Sequence, residues 1–201
     1  APNIDGKGPS VWDTFSHIEG NVKNGDNGDQ ACDHYNLWQK DIELLKELGV
    51  KAYRFSISWP RIFPNGNEKL PNEAGLDFYD RLVDHLLEHS IQPFITLNHW
   101  DIPQGLEDIG GWPNRSMVDA FVKYSYYVST RLGDRAKNWI THNEPWCISY
   151  LGYIQGQFPP GIKNNWPKSL VTAHHLLLSH GMSINEILNN SNDSNIGITL
   201  N

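Results

Sequence analysis

The sequence predicts an α/β fold of the (β/α)-barrel type, and three observations carry that expectation. Helical and strand-like segments alternate along the chain, which indicates parallel βαβ units. The links from helix to strand are short, whereas the segments after the strands are long, and in a (β/α) barrel those segments build the active-site face. Neither a G-x-G-x-x-G nor a Walker-type glycine loop is present, which removes the usual signals of a nucleotide-binding doubly wound sheet.

The elements follow in order. The first thirty residues are rich in Gly, Asn and Asp and are expected to form an irregular surface loop. From Tyr35 to Leu48, apolar residues recur at helical spacing (Leu37, Trp38, Ile42, Leu45, Leu48), and Gly49 supplies a left-handed stop. Ala52 to Trp59 is aromatic and β-branched and reads as a strand. A loop is expected from Pro60 to Asn72. Leu76, Tyr79, Leu82, Val83, Leu86 and Leu87 mark a second helix, and Pro93 to Asn98 a second strand. After a loop running through Gly111, Ser116 and Asp119 have the spacing of a capping box that opens a third helix, stopped at Gly133. Asn138 to His142 is the third strand. A Gly/Pro-rich loop spans Gly152 to Pro167, a fourth helix Ser169 to Leu188, and a fourth strand Ile196 to Leu200.

The 201 residues suffice for one domain, and a 39% hydrophobic content argues against disorder. The net charge is −7 with no Lys/Arg cluster, which argues against nucleic acid and against an anionic membrane surface. No apolar run approaches the ~20 residues of a membrane span. Two cysteines, Cys32 and Cys147, make neither a disulfide framework nor a CxxC metal site. A reducing, cytoplasmic location is the simpler expectation. No leader-like segment opens the sequence, but sequons at Asn114, Asn189 and Asn192 keep secretion open. Eight tryptophans and eight tyrosines are many for this length; most belong in a core, yet flat rings also suit sugars.

Polar residues gather at the strand ends. Arg54 and Ser56 interrupt an apolar run, the second strand ends in Asn98-His99-Trp100-Asp101, and the third in Thr141-His142-Asn143-Glu144-Pro145-Trp146. Such a rim suits a polyhydroxylated ligand. A carboxylic acid among apolar rings has its charged form disfavoured, as a general acid requires near neutral pH. Each residue also has an ordinary reading: Glu144 a loop carboxylate, His99 a structural histidine, Arg54 half of a structural ion pair, Trp100 and Trp146 core lids. His174, His175 and His180 fall in a helical stretch and read as packing or surface residues. They make no HExxH pattern, and neither metal nor cofactor is expected.

Longer runs add a resemblance. GKGPSVWDTFSH (6–17), GDQACDHYNLWQKDI (28–42), LGVKAYRFSISWPRIFP (48–64), GLDFYDRLVD (75–84), PFITLNHWDIP (93–103), GGWPNR (110–115) and NWITHNEPW (138–146) together resemble glycoside hydrolase family 1, the β-glucosidase family, over almost the whole chain. The resemblance implies a (β/α)8 barrel of TIM type, about half present, with the four strands matching the family's second to fifth. Residues 1–201 would then be a partial catalytic domain lacking the first strand and the C-terminal half. It implies a retaining β-glycosidase in which Glu144, within Thr141 to Pro145, is the acid/base. Asn143 would bond the sugar 2-hydroxyl, His99 the 3-hydroxyl region, and Arg54 would support the nucleophile. Trp146 would line the leaving-group side and Trp100 the floor. The family's T-E-N-G-type nucleophile motif is missing, and with it the later sugar-binding Glu and Trp. The expected partners are a β-glycoside or oligosaccharide and either a complementary C-terminal half or a second copy that closes the sheet. Alternatively, the chain is a catalytically incomplete fragment or a non-catalytic sugar-binding module. Asp101 is the one other rim acid that could pair with Glu144.

Overall fold

In the computed structural model, which describes residues 4–201, four strands form one parallel sheet in the order β1 (Ala52–Ser56), β2 (Gln92–Asn98), β3 (Asn138–Asn143) and β4 (Asn195–Thr199). Between them run the long helices α4 (Glu73–Glu88), α6 (Ser116–Leu132) and α7 (Trp166–Asn190), and α2 (His34–Glu47) precedes β1. Shorter pieces are α1 (Val11–Ser16), α3 (Trp59–Ile62) and α5 (Gln104–Asp108). Sequential parallel pairing is the arrangement that alternating helix and strand periods demand.

The core lies between one face of the sheet and the helices. Phe55, Ile95 and Trp139 share that face and meet Leu82, Val83 and Leu86 of α4 and Phe121, Tyr124 and Val128 of α6. Trp59, wholly buried, stacks on Tyr124 at 4.9 Å between ring centres, and its edge meets Phe121. The Tyr124 hydroxyl donates to the Leu97 carbonyl at 2.9 Å, so the aromatic cluster is also tied to β2. The opposite face is bare along β1, where Ala52, Arg54 and Ser56 are exposed. β1 and β4 pair on one side only, and an open groove of about 800 Å³ runs beside β1, lined in part by Leu44, Tyr53, Arg54, Ser56, Thr96 and His99.

Several boundaries differ from expectation. The first strand stops at Ser56, not Trp59, because Trp59 starts α3 and turns inward to the aromatic cluster. The expected loops before Asn72 and Gly111 therefore contain α3 and α5. The opening segment is not wholly irregular: Ser10 Oγ accepts from the Asp13 N–H (3.2 Å) and Asp13 Oδ2 from the Ser10 N–H (2.7 Å), a capping box that starts α1. The capping box expected at Ser116 and Asp119 does not form. The Ser116 N–H goes instead to Asn114 Oδ1 (3.1 Å), and Asp119 faces Arg115 at 3.7 Å. α7 begins at Trp166 rather than Ser169, since Asn165 Oδ1 accepts from the Lys168 N–H and Pro167 is tolerated in a first turn. Gly133 does end α6, although in right-handed conformation, and Gly49 is left-handed as the sequence suggests.

Candidate active site

The strand ends bring the rim residues together. Arg54 leaves the open face of β1 and its Nε–H donates to Thr96 Oγ1 of β2 at 2.9 Å. Its NH2 donates to Asn143 Oδ1 of β3 at 2.6 Å. One guanidinium thus spans three strands, which its rigid fork of donors permits. Asn143 can reach it because the pairing of β3 with β4 slips between Ile140 and Asn143. Within that slip, consecutive residues both turn to α7: Thr141 Oγ1 meets His180 Nδ1 at 2.8 Å, and His142 Nε2 meets Ser179 Oγ at 2.9 Å. Breaking the alternation re-aims the next side chain, a common use of irregular pairing beside a site.

Trp100 fastens β2 to β3. Its indole N–H donates to the Asn143 carbonyl at 2.8 Å, its backbone N–H to Asn98 Oδ1 at 3.2 Å, and its ring packs on Phe158. Trp100 and Glu144 both have left-handed backbones, φ 77° and 47°, a conformation that costs non-glycine residues energy and concentrates at functional sites. The Glu144 N–H is held by the Thr199 carbonyl of β4 at 2.9 Å, and Glu144 Oε2 lies 3.5 Å from the Cys147 thiol. Glu144 is partly exposed.

His99 is exposed, with its ring against the edge of Trp100 at 5.0 Å. Partial desolvation and then the Arg54 guanidinium hold its imidazole below the usual histidine range, while the Glu144 carboxylate pulls the other way. The two opposing influences place Arg54 and Glu144 each within electrostatic reach of His99. Trp146 is 49% exposed, so it is not a core lid, and it stacks flat on Tyr150 at 4.7 Å. Asp101 stands apart. It is enclosed beside Ser58, and its Oδ1 has no hydrogen-bond partner among the described residues. Burial pushes its carboxyl up to about 7.

His142, one residue before Asn143, is structural. Burial pushes its imidazole down to about 3, so it stays neutral between Asn98 and Ser179 and under the Phe121 ring. His175, also buried, donates Nδ1–H to the Trp112 carbonyl, a packing role like that of His180. Sequence reading placed Asn98 at the rim without a role and missed Thr96, Ser179 and Tyr150, which support the rim. Asn98 was visible at a strand end; the other three have no local signal.

The family model described as Glycosyl hydrolase family 1 matches residues 1–201. The chain belongs to glycosyl hydrolase family 1. This family 1 chain is 51% identical over all 201 residues to the 1,4-beta-D-glucan glucohydrolase of Thermotoga neapolitana and covers 47% of it. It is 53% identical to beta-glucosidase A of Acetivibrio thermocellus, covering 44% of that protein. The solved beta-glucosidase from Thermotoga maritima in complex with castanospermine superposes with a TM-score of 0.96 at 50% identity, over all of this chain and 45% of that one. The family 1 sheet described above is therefore part of a TIM-type (β/α)8 barrel, and the chain spans about half the length of the curated relatives it matches.

Proposed function

We propose that this chain supplies the acid/base half of a β-glucosidase-type hydrolase that cleaves terminal β-glycosidic bonds with retention. The observation that carries the reading is the gathering of Arg54, His99, Asn143 and Glu144 at the strand-end rim of one parallel sheet, with Asn143 bonded to Arg54. The similarity to β-glucosidases over all 201 residues supports it.

In this mechanism a second carboxylate attacks the anomeric carbon while Glu144 gives its proton to the departing glycosidic oxygen. The sugar is left as a glycosyl ester on that second carboxylate. Glu144, now ionised, takes a proton from water, and the hydroxide displaces the ester and releases the sugar with its configuration kept. Asn143 Nδ2 is free to donate to the 2-hydroxyl, because Arg54 occupies only Oδ1. His99 binds the neighbouring hydroxyls, Trp146 backed by Tyr150 offers a flat surface to the leaving group, and Trp100 forms the floor. Arg54, already beside Asn143, favours ionisation of the attacking carboxylate. Asp101 is a poor candidate for that role, since it is enclosed beside Ser58 and its own ionisation is disfavoured.

The attacking carboxylate is therefore expected from outside these 201 residues, on the strands that complete the barrel. The bare face of β1, its one-sided pairing and its groove support a complementary half or a second copy as partner. Among the described residues, no helix is long and apolar enough to cross a membrane.

The purified chain alone should show negligible turnover of an aryl β-glucoside. Mixing it with a polypeptide carrying the remaining strands should restore hydrolysis, and Glu144→Gln should then lower kcat/KM by roughly 10²-fold or more. Robust hydrolysis by the chain alone, or a restored activity indifferent to Glu144→Gln, would contradict the assignment.

A further inference from the structure

A second chemical cluster lies at the other end of the sheet. His85 and His89 stand one turn apart at the end of α4, and Glu43 faces them from α2. Glu43 Oε1 is 3.1 Å from His89 Nε2 and 3.9 Å from His85 Nε2. The three donor atoms lie within 4.8 Å of one another. Zinc-to-ligand bonds near 2.0–2.2 Å place tetrahedral ligands about 3.3 Å apart, a spacing that the two measured distances bracket.

The proton positions fit as well. His85 Nδ1 is 3.1 Å from Glu88 Oε2. An ionised carboxylate only accepts, so Nδ1 carries a hydrogen, and in the neutral imidazole Nε2 then presents a lone pair. That lone pair faces a Glu43 oxygen, and a cation shared between the two acceptors removes their repulsion. A carboxylate holding the far nitrogen of a histidine is the usual outer support of a metal-bound imidazole. The Trp38 ring packs edge-on against His85 at 5.6 Å and restricts its rotation. By the same rule His89 Nε2 carries the hydrogen it shares with Glu43 Oε1 at 3.1 Å, and a metal ion taking that position displaces this proton, leaving the Nε2 lone pair as ligand. Lys46 holds the other Glu43 oxygen at 3.3 Å. The histidine side chains are 23% and 17% exposed, open enough for water to complete a coordination shell.

We propose that Glu43, His85 and His89 form a binding site for a divalent transition ion of the zinc class that clips α2 to α4. Two imidazole nitrogens and one carboxylate suit such an ion and not Mg²⁺ or Ca²⁺, which prefer all-oxygen shells. α4 ends at Glu88 and β2 starts at Gln92, so the clip sits at the N-terminal ends of the strands, away from Glu144. α2 buries only Ile42 completely, so a cross-link to α4 would reinforce a thin contact.

Calorimetric titration of the chain with ZnCl2 at neutral pH tests this. One Zn²⁺ per chain is expected at micromolar affinity, with a raised melting temperature and no response to Mg²⁺. Glu88→Gln should weaken binding roughly tenfold, and His85→Asn with His89→Asn should abolish it. Undetectable Zn²⁺ binding, or binding unchanged in the double variant, overturns the site. Co²⁺ added to the unaltered chain gives a reading that needs no variant. Visible d–d bands of a four-coordinate nitrogen/oxygen site are expected, and only the weak absorption of hydrated Co²⁺ overturns the proposal.

Discussion

Asp101 follows Trp100 directly, yet burial pushes its carboxyl up to about 7 against an ordinary 3.8, opposed in part by Ser58. Glu107 is shifted the same way, also to about 7 and also by burial. A carboxyl that binds its proton more tightly in the folded chain favours folding at low pH. That contribution is complete below the unfolded value and disappears as pH rises through about 7. Asp101→Asn keeps the shape and removes the charge. Its melting temperature should fall less between pH 5 and pH 8 than that of the parent chain, as a thermal scan across that range would show. Equal slopes would mean that Asp101 is hydrated in solution.

At the scale of elements, the two ends of the stability range are set by different physics. Trp59 occupies the centre of an aromatic cluster, and Trp59→Ala should cost about 3–5 kcal/mol through lost burial and an unfilled cavity. Ser10→Ala removes one side of a capping box and should cost about 1 kcal/mol. Urea unfolding of the two variants would check the order. The alternating helices and strands were legible in the sequence because each long element buries one face, and a buried face leaves a period. Glu144, Asn143 and His99 were legible as polar residues at strand ends and as parts of longer motifs. The capping box of α1 was masked by the glycine- and asparagine-rich composition around it. The slip in β3 was not legible at all, since it depends on Thr141 and His142 both finding partners on α7. The Arg54–Asn143 bond joins residues 89 apart in sequence, and no local pattern announces it. His85 and His89 do have a visible one-turn spacing, but Glu43 comes from another helix and only folding brings it alongside.

The described residues as a whole form a barrel wall with two unpaired margins. β1 and β4 leave backbone donors and acceptors along one side, and Leu37 and Leu44 on α2, Leu48 just after it, and Leu170, Leu177 and Leu188 on α7 are exposed. Open strand margins template pairing with other chains. The isolated chain should therefore associate with itself, and its sedimentation coefficient should rise with concentration across the micromolar range. A complementary barrel half should suppress that rise by taking the same margins. A monomer at every concentration with one sharp melting transition would argue that the margins are closed in solution.

The Trp100 indole donates to the main-chain carbonyl of Asn143 and ignores its side chain. The brace therefore stays in place when the side chain at position 143 changes, even though the separate bond from Arg54 to Asn143 Oδ1 would be lost. Evolution or an engineer can exchange that side chain to greet a different hydroxyl pattern while the brace remains. On the proposed function, recognition and alignment are thereby separable here, and altered sugar preference need not disturb the aim of the proposed proton donor one residue further on.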